Sequence, residues 1–318
     1  MRDMDVAVTG GLGFIGSHLT DELLERGNRV TVIDDLSTGS PDNLRDPHHE
    51  DLEIIEGSIN DLDLEKVFQG KDYVFHQAAL ASVPESVRDP LRCHRVNATG
   101  TLRVLMASSR AGVRKVVNAS TSAVYGNNPE IPLREDARPM PLSPYAVSKV
   151  TGEYYCQVFE DHGLETVSLR YFNVYGPRQR PDSQYAAVIP RFIDALLTGR
   201  SPEIYGDGEQ SRDFIYVGDV VRANIFLAES RGSGVYNVAG GSSVTVNRLF
   251  DIISEILDSD AEPEYLDERP GDVRHSLADT SRLAATGFRP EVGLEEGLMR
   301  TVEWFKKKDC KSLTREDR

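Results

Sequence analysis

Tyr145 and Lys149 stand four positions apart in PLSPYAVSKV, residues 141–150. In a helix, residues four apart share a face. An ammonium beside a phenol favours the phenolate, and a phenolate is a usable general base. The lysine is also scarce, because of 36 basic residues only 8 are lysine. Even so, among 12 tyrosines a Tyr-x-x-x-Lys arises by accident roughly 0.3 times. On these ten residues alone, a partly exposed tyrosine beside a solvated lysine is the better reading.

A second candidate lies in TGGLGFIGSHL, residues 9–19. Gly10, Gly13 and Gly16 follow a Gly-x-x-Gly-x-x-Gly spacing, and Gly11 completes a Gly-x-Gly-x-x-Gly reading. Such glycines let a backbone turn tightly and approach a pyrophosphate at a helix N-terminus. Phe14 and Ile15 fall inside this turn and join the cofactor-contacting candidates. A lone glycine motif is weak evidence, since a glycine-rich turn needs no ligand. This one follows a strand-like run, opens a helical pattern and precedes a second strand-like run that ends in acid, VTVIDD. Asp34 comes 18 residues after Gly16, near the spacing of a carboxylate that hydrogen-bonds an adenosine ribose. Asp34 and Asp35 would repel a 2′-phosphate and no arginine follows closely, so NAD is favoured over NADP.

The elements that must position these groups are readable along the chain. DVAVT (5–9), RVTVID (29–34), LEIIE (52–56), YVFH (73–76), KVVNAS (115–120) and TVSLR (166–170) read as buried strands. Helical patterns lie between them, with Leu19, Leu23 and Leu24 before Gly27, and Leu102, Leu105 and Met106 before Gly112. Alternating strands and helices imply right-handed crossovers and a parallel sheet covered on both faces. The pattern loosens after about residue 172, where a smaller second region begins, and KKKDCKSLTREDR (306–318) reads as a frayed end. No internal repeat or low-complexity segment is apparent.

Composition narrows the function further. The 318 residues are 39% hydrophobic and 27% charged, which suits a soluble protein of one or two domains. No apolar run approaches membrane-spanning length. The N-terminus carries acids and enters a strand directly, so a cytoplasmic location is the default expectation. Cys93, Cys156 and Cys310 are widely spaced and odd in number, suggesting neither a disulfide framework nor a metal site. A net charge of −15 argues against non-specific binding to nucleic acid or an anionic membrane. An anionic ligand would have to be met by local positive charge.

The glycine turn and SPYAVSK do not stand alone. FHQAALASVP, NATGTLRVL, STSAVYG, RYFNVYGPRQ, YAAVIPRF, GDGEQSRDFIYVGDV, VYNVAGG and RPGDVRHSLAD join them between about residues 5 and 305. Together they resemble the extended short-chain dehydrogenase/reductase superfamily, and within it the UDP-sugar 4-epimerases, which act on UDP-glucose or UDP-N-acetylglucosamine. The resemblance implies an α/β fold: a Rossmann-type, doubly wound parallel sheet with a smaller C-terminal substrate-binding α/β region. It implies an NAD-binding domain over 1–172 with a returning segment near 213–240, a UDP-sugar domain over 173–212 and 241–305, and a tail over 306–318. It also implies a homodimer that pairs helices 98–111 and 147–161, a UDP-sugar substrate, and neither nucleic-acid nor membrane partners.

Roles carry over by position. The resemblance implies that Tyr145 takes the proton of the sugar 4′-hydroxyl while NAD+ takes the C4′ hydride, which then returns to the other face of a transient 4-keto sugar. Lys149 would hold the nicotinamide ribose and, with the positive nicotinamide, lower the Tyr145 pKa. Thr121 takes the hydroxyl position, with Ser122 as its helper. Ser58 and Ile59 fall at the adenine, where Ser58 replaces the family's usual acid. Gln77, Ala78 and Ala79 line the cofactor path, and Asn97 falls on the nicotinamide side. Asn173, Arg212 and Arg269 would meet the diphosphate, Val188 would pack near the uridine, Asp272 is the ribose-side acid, and Tyr205 joins the substrate contacts. Ser276 takes the position of a size gate beside the sugar C2 substituent, where a small residue leaves room for an acetamido group.

Other activities are also open on the sequence. A nucleotide-sugar 4,6-dehydratase or another lyase of the superfamily needs an acid beside the hydroxyl residue, but Thr121 is followed by Ser122 and Ala123. A net oxidoreductase would exchange its cofactor at every turnover. A non-catalytic NAD-binding module is disfavoured by the intact Thr121, Tyr145 and Lys149.

Overall fold

A computed structural model describes residues 1–181, 187–268 and 273–316. The first half contains β1 (Asp5–Thr9), α1 (Phe14–Glu25), β2 (Arg29–Asp34), β3 (Leu52–Glu56), α2 (Leu64–Phe68), β4 (Tyr73–His76), α3 (Val83–Arg88), α4 (Pro90–Cys93), α5 (Gly100–Ala111), β5 (Lys115–Thr121), α6 (Pro144–Asp161) and β6 (Glu165–Tyr171). The second contains β7 (Asn173–Tyr175), α7 (Val188–Leu197), β8 (Glu203–Tyr205), β9 (Ser211–Tyr216), α8 (Val217–Glu229), β10 (Gly234–Val238), β11 (Ser243–Thr245), α9 (Val246–Leu257), β12 (Glu264–Leu266), α10 (Ser281–Ala285) and α11 (Leu294–Glu316).

The strands form where the apolar runs place them and build one seven-stranded sheet in the order β10-β6-β5-β4-β1-β2-β3. All its neighbouring strands are parallel. β1 pairs with β2 on one side and with β4 on the other. The connections reverse direction there, and a doubly wound sheet opens its ligand crevice at that point. The interior strands are buried apart from their first or last residues, as expected, but β3 is half-exposed because it is the sheet edge. α1 buries Leu19, Leu23 and Leu24 against the sheet and ends where Gly27 adopts φ +78°.

The chain returns to this sheet late. α8 and β10 share its core, with Val220, Ile225, Tyr236 and Val238 packed beside Val8 and Leu169. A second core gathers Ile189, Phe192, Leu249, Phe250, Ile253, Leu298 and Val302 from α7, α9 and α11. Two small sheets border it, β11-β9-β7 and β12-β8. Ile15 packs against both cores, so the start of α1 lies at their junction. The stretch read as a frayed end is helical to Glu316; it contains neither glycine nor proline to stop a helix.

α6 carries Tyr145 and Lys149, and its start is well defined. Ser143 accepts the Ala146 amide N–H at 3.1 Å and Pro144 occupies the first turn, both standard helix-start devices. Ser143→Ala should destabilise the fold by about 1 kcal/mol, read as a lower urea midpoint with an unchanged slope. An unchanged midpoint would show that the cap does not hold the helix.

Candidate active site

The glycine turn closes on the next loop. Gly10 adopts φ +67°, and a Cβ there would lie 2.7 Å from the Ala78 nitrogen. A Cβ on Gly16 would lie 2.0 Å from the Gly10 carbonyl oxygen. Neither position accepts a side chain, so the backbone packs as tightly as a dinucleotide turn requires. The N-terminus of α1 has no side-chain cap, which leaves its first N–H groups for an anion. Gln77 N donates to the Thr9 carbonyl at 3.0 Å, and a Thr9–His76–Thr101 relay pins the wall behind (2.7 and 3.0 Å). Burial holds the His76 imidazole neutral, its pKa pushed down to about 3.

Asp34, at the end of β2, is buried and accepts the Leu12 and Leu36 N–H groups, each at 3.0 Å. Burial raises its pKa, with those two N–H groups opposing. Beside it, Gly57 N donates to the Asp34 carbonyl at 2.9 Å, so the Ser58–Ile59 turn abuts the same sheet end. The Ser58 hydroxyl accepts the Asn60 N–H at 3.2 Å, and Ile59 is buried. The glycine turn, the uncapped helix and this carboxylate fit NAD, and they gather the candidates Gly10, Gly13, Phe14, Ile15, Gly16 and Asp34 at one end of the sheet.

Two cofactor-side expectations meet differently placed side chains. Gln77 Nε2 reaches the Tyr171 hydroxyl at 3.0 Å and Asn224 Oδ1 at 3.1 Å, so its amide is engaged within the protein. Asn97 is fully buried in a π-helical stretch, His94–Thr99. Its amide grips both backbone groups of Leu80 (2.8 and 3.1 Å) and the Ser148 hydroxyl (3.0 Å). It therefore ties the loop after β4 to α6.

The structure brings Thr121, Tyr145 and Lys149 together. Thr121 ends β5, and its hydroxyl accepts the Ala123 N–H in the short 3-10 turn Ser122–Tyr125 that also carries Ser122. The Thr121 side chain lies beside the Tyr145 phenol and favours its charged form. Lys149 Nζ donates to the Ala119 carbonyl at 2.8 Å. The expectation that Lys149 and the nicotinamide together lower the Tyr145 pKa concerns the cofactor complex. In the protein alone, burial pushes the phenol up, and the Thr121 side chain opposes it. Burial also pushes Lys149 down to about 8. Both shifts have one physical cause, desolvation of each group by burial.

The substrate-side candidates converge on β9. Asn173 Nδ2 donates to the Asp213 carbonyl at 2.9 Å. Arg212 Nη1 donates to the Ser211 carbonyl at 2.9 Å. Ser276 is buried and its N–H donates to Ser211 at 3.0 Å. Tyr205 ends β8, its carbonyl accepting Gln210 Nε2 at 2.7 Å. Val188 opens α7 against the second core. Arg269 and Asp272 lie outside the described residues.

Sequence reasoning missed Asp213. It is fully buried, and its carboxylate accepts the N–H groups of Gly240 (2.8 Å), Gly241 (3.2 Å) and Ala278 (3.2 Å). It thus clasps the segments that carry Asn173, Arg212 and Ser276. Its place in QSRDF beside Arg212 was the available signal. Burial outweighs the three N–H groups and lifts its pKa to about 7, above the 3.8 of a free carboxyl. A raised carboxyl pKa means the folded state holds the proton more tightly. Its stabilising contribution is complete below the unfolded pKa and is lost as pH rises through about 7. Relative to Asp213→Asn, the wild-type urea midpoint should therefore fall between about pH 4 and pH 7 and level off above that. Parallel profiles would contradict this assignment.

With this geometry in hand, comparison with known proteins is informative. The sequence description of the NAD dependent epimerase/dehydratase family matches residues 6–239. The UDP-glucose 4-epimerase of Mycolicibacterium smegmatis is 40% identical over 312 residues, 96% of this chain and 99% of that protein. Among solved structures, the UDP-N-acetylglucosamine 4-epimerase of Methanobrevibacter ruminantium, in complex with UDP-N-acetylmuramic acid, is 55% identical with a TM-score of 0.95, covering 97% of this chain and all of that one, 100%. The UDP-glucose 4-epimerase of Thermotoga maritima with UDP-glucose is 43% identical with a TM-score of 0.92, covering 96% and 99% of the two chains. A dinucleotide turn, a Thr-Tyr-Lys centre and full-length likeness agree, and the chain belongs to the NAD dependent epimerase/dehydratase family.

Proposed function

We propose that the protein is an NAD-dependent UDP-sugar 4-epimerase. The Thr121–Tyr145 pairing carries this reading, because Lys149 lies one turn further along α6 and no acid follows Thr121. When bound, NAD+ supplies a two-electron acceptor and donor for C4′, and positive charge that offsets the raised pKa of the buried phenol. Tyr145 Oη, as phenolate, takes the proton of the 4′-hydroxyl, and Thr121 Oγ orients that oxygen. The 4-keto sugar turns over, and Tyr145 returns the proton to the same oxygen. Lys149 keeps one donor on Ala119 and has others for a ribose. A 4,6-dehydratase would need an acid where Ser122 and Ala123 stand.

Asn173 and Arg212 bring an amide and a guanidinium to the diphosphate, groups suited to hydrogen-bonding its oxygens. Arg269 and Asp272 stay in the proposal on resemblance. Residues 1–172 with 213–240 hold the dinucleotide, and 173–212 with 241–305 hold the sugar nucleotide. A homodimer is supported by Val147, Tyr154 and Val158, 51%, 56% and 50% exposed. They line the face of α6 opposite Tyr145 and Lys149, with Met106 of α5 nearby, 37% exposed; a monomeric mass by light scattering would contradict the dimer. Buried free thiols at Cys93 and Cys156 suit a reducing cytoplasm. No described helix is long and apolar enough to cross a membrane.

The acetylated pair, UDP-N-acetylglucosamine and UDP-N-acetylgalactosamine, is the proposed substrate, with the non-acetylated pair also accepted. Ser276 and the similarity to the UDP-N-acetylglucosamine 4-epimerase of M. ruminantium support this. A panel of UDP-sugars without added oxidant or reductant, resolved by NMR, tests the activity; no interconversion of any pair would refute it. Tyr145→Phe should keep NAD and UDP-sugar binding and lose about 10² to 10⁴ in kcat. Retention of more than about a tenth of activity would remove the base assignment. Ser276→Tyr should abolish turnover of acetylated sugars and largely spare UDP-glucose, because a phenol overfills the acetamido space. Equal loss on both pairs would exclude the gate.

A further inference from the structure

A buried ion pair lies directly behind the catalytic groups and has no part in the proton transfer. Glu153 of α6 and Arg170 of β6 are each 4% exposed. Arg170 Nε and Nη2 reach the two carboxylate oxygens at 2.9 and 2.7 Å. The Ser120 hydroxyl also donates to this carboxylate. The guanidinium stacks on the Tyr125 ring, 4.7 Å from its centroid, and Nη1 donates to the Glu135 carbonyl at 3.2 Å. The Tyr125 hydroxyl in turn donates to Asn237 Oδ1 at 2.6 Å.

We infer that the Glu153–Arg170 pair is a positioning device that fixes Thr121, and with it the Thr121–Tyr145 contact. Thr121 is held by its pairing with Tyr171 and by the Ala123 N–H on its hydroxyl, and the chain on both sides of it is anchored by this one pair. Ser120, immediately before it, is held by the carboxylate, and Tyr125, in the turn that follows, is held under the guanidinium. On the helix side, Tyr145, Lys149 and Glu153 recur every four residues and face β5 at Thr121, Ala119 and Ser120 in turn. The third contact sets the rotation of α6 for the other two. Stability does not explain the pair, because a buried ion pair gains little over well-packed apolar residues. Its planar bidentate geometry supplies direction, which apolar packing does not.

The inference rests on the catalytic reading of Thr121, and the test separates the two. Glu153→Met/Arg170→Met keeps side-chain bulk and removes both charges. It should retain its thermal midpoint within a few degrees and bind NAD within threefold of wild type by calorimetry. KM for the UDP-sugar should stay within threefold, while kcat falls at least tenfold. In a Thr121→Ala background the same pair of substitutions should add much less than that factor, because both act on one contact. A folded double variant with kcat within threefold of wild type overturns the positioning role. If Thr121→Ala itself leaves kcat intact, the catalytic reading of Thr121 fails instead, and the positioning role with it. Ser120→Ala keeps the question open to test if the double variant does not fold. It should lower kcat at least threefold at unchanged KM and thermal midpoint, and an unchanged kcat overturns the inference.

Discussion

The site depends on the docking of one helix against the end of one strand. Tyr145, Lys149 and Glu153 share a face of α6, and each meets a consecutive part of β5 between Ala119 and Thr121. Apolar packing alone would let the helix slide or rotate by fractions of an ångström. Polar contacts with fixed directions remove that freedom. The opposite face of the same helix is apolar and exposed at Val147, Tyr154 and Val158, so a partner copy there would press α6 onto β5. Cofactor, base and dimer contact would then share one rigid element, which is how precise sites are usually built.

An acidic chain that binds anions must do so without a large positive field. With a net charge of −15, the protein concentrates its donors instead. The uncapped start of α1 offers backbone N–H groups, and Arg212 sits among the β9 contacts. Several other arginines are already committed: Arg170 to Glu153, Arg178 to Asp21, and Arg274 to Asp207. Even Asp213, next to Arg212, turns its carboxylate away from the ligand side onto three backbone N–H groups. Its job is to join β9 to the Gly240–Gly241 turn and to the segment carrying Ser276.

The dinucleotide half was legible because its signals are local. Val and Ile runs mark β1, β2, β4, β5 and β6 almost to the residue, and Gly10 and Gly16 are glycine for steric reasons seen within one turn. Edge exposure of β3 was not legible, since strand order is a property of the whole sheet. The same limit hid the second layer of the site. Glu153 lies four residues beyond Lys149, so its helix face was readable. Its partner Arg170 is 17 residues away and reaches it only through the pairing of β5 with β6. Asp213 likewise gains its meaning from Gly240 and Ala278, which are distant in sequence. The pKa pattern of the protein alone was not legible for a related reason. Spacing puts Lys149 near Tyr145, but burial decides the direction of both shifts.

The central claim is that Tyr145, Thr121 and Lys149 serve a reaction that removes and restores the same hydrogen at C4′. Its most direct test is turnover of UDP-N-acetylglucosamine carrying deuterium at C4′, with no added NAD beyond that bound. The account predicts UDP-N-acetylgalactosamine that still carries the full label at C4′. Loss of the label to solvent, or turnover only with stoichiometric NAD, would contradict it.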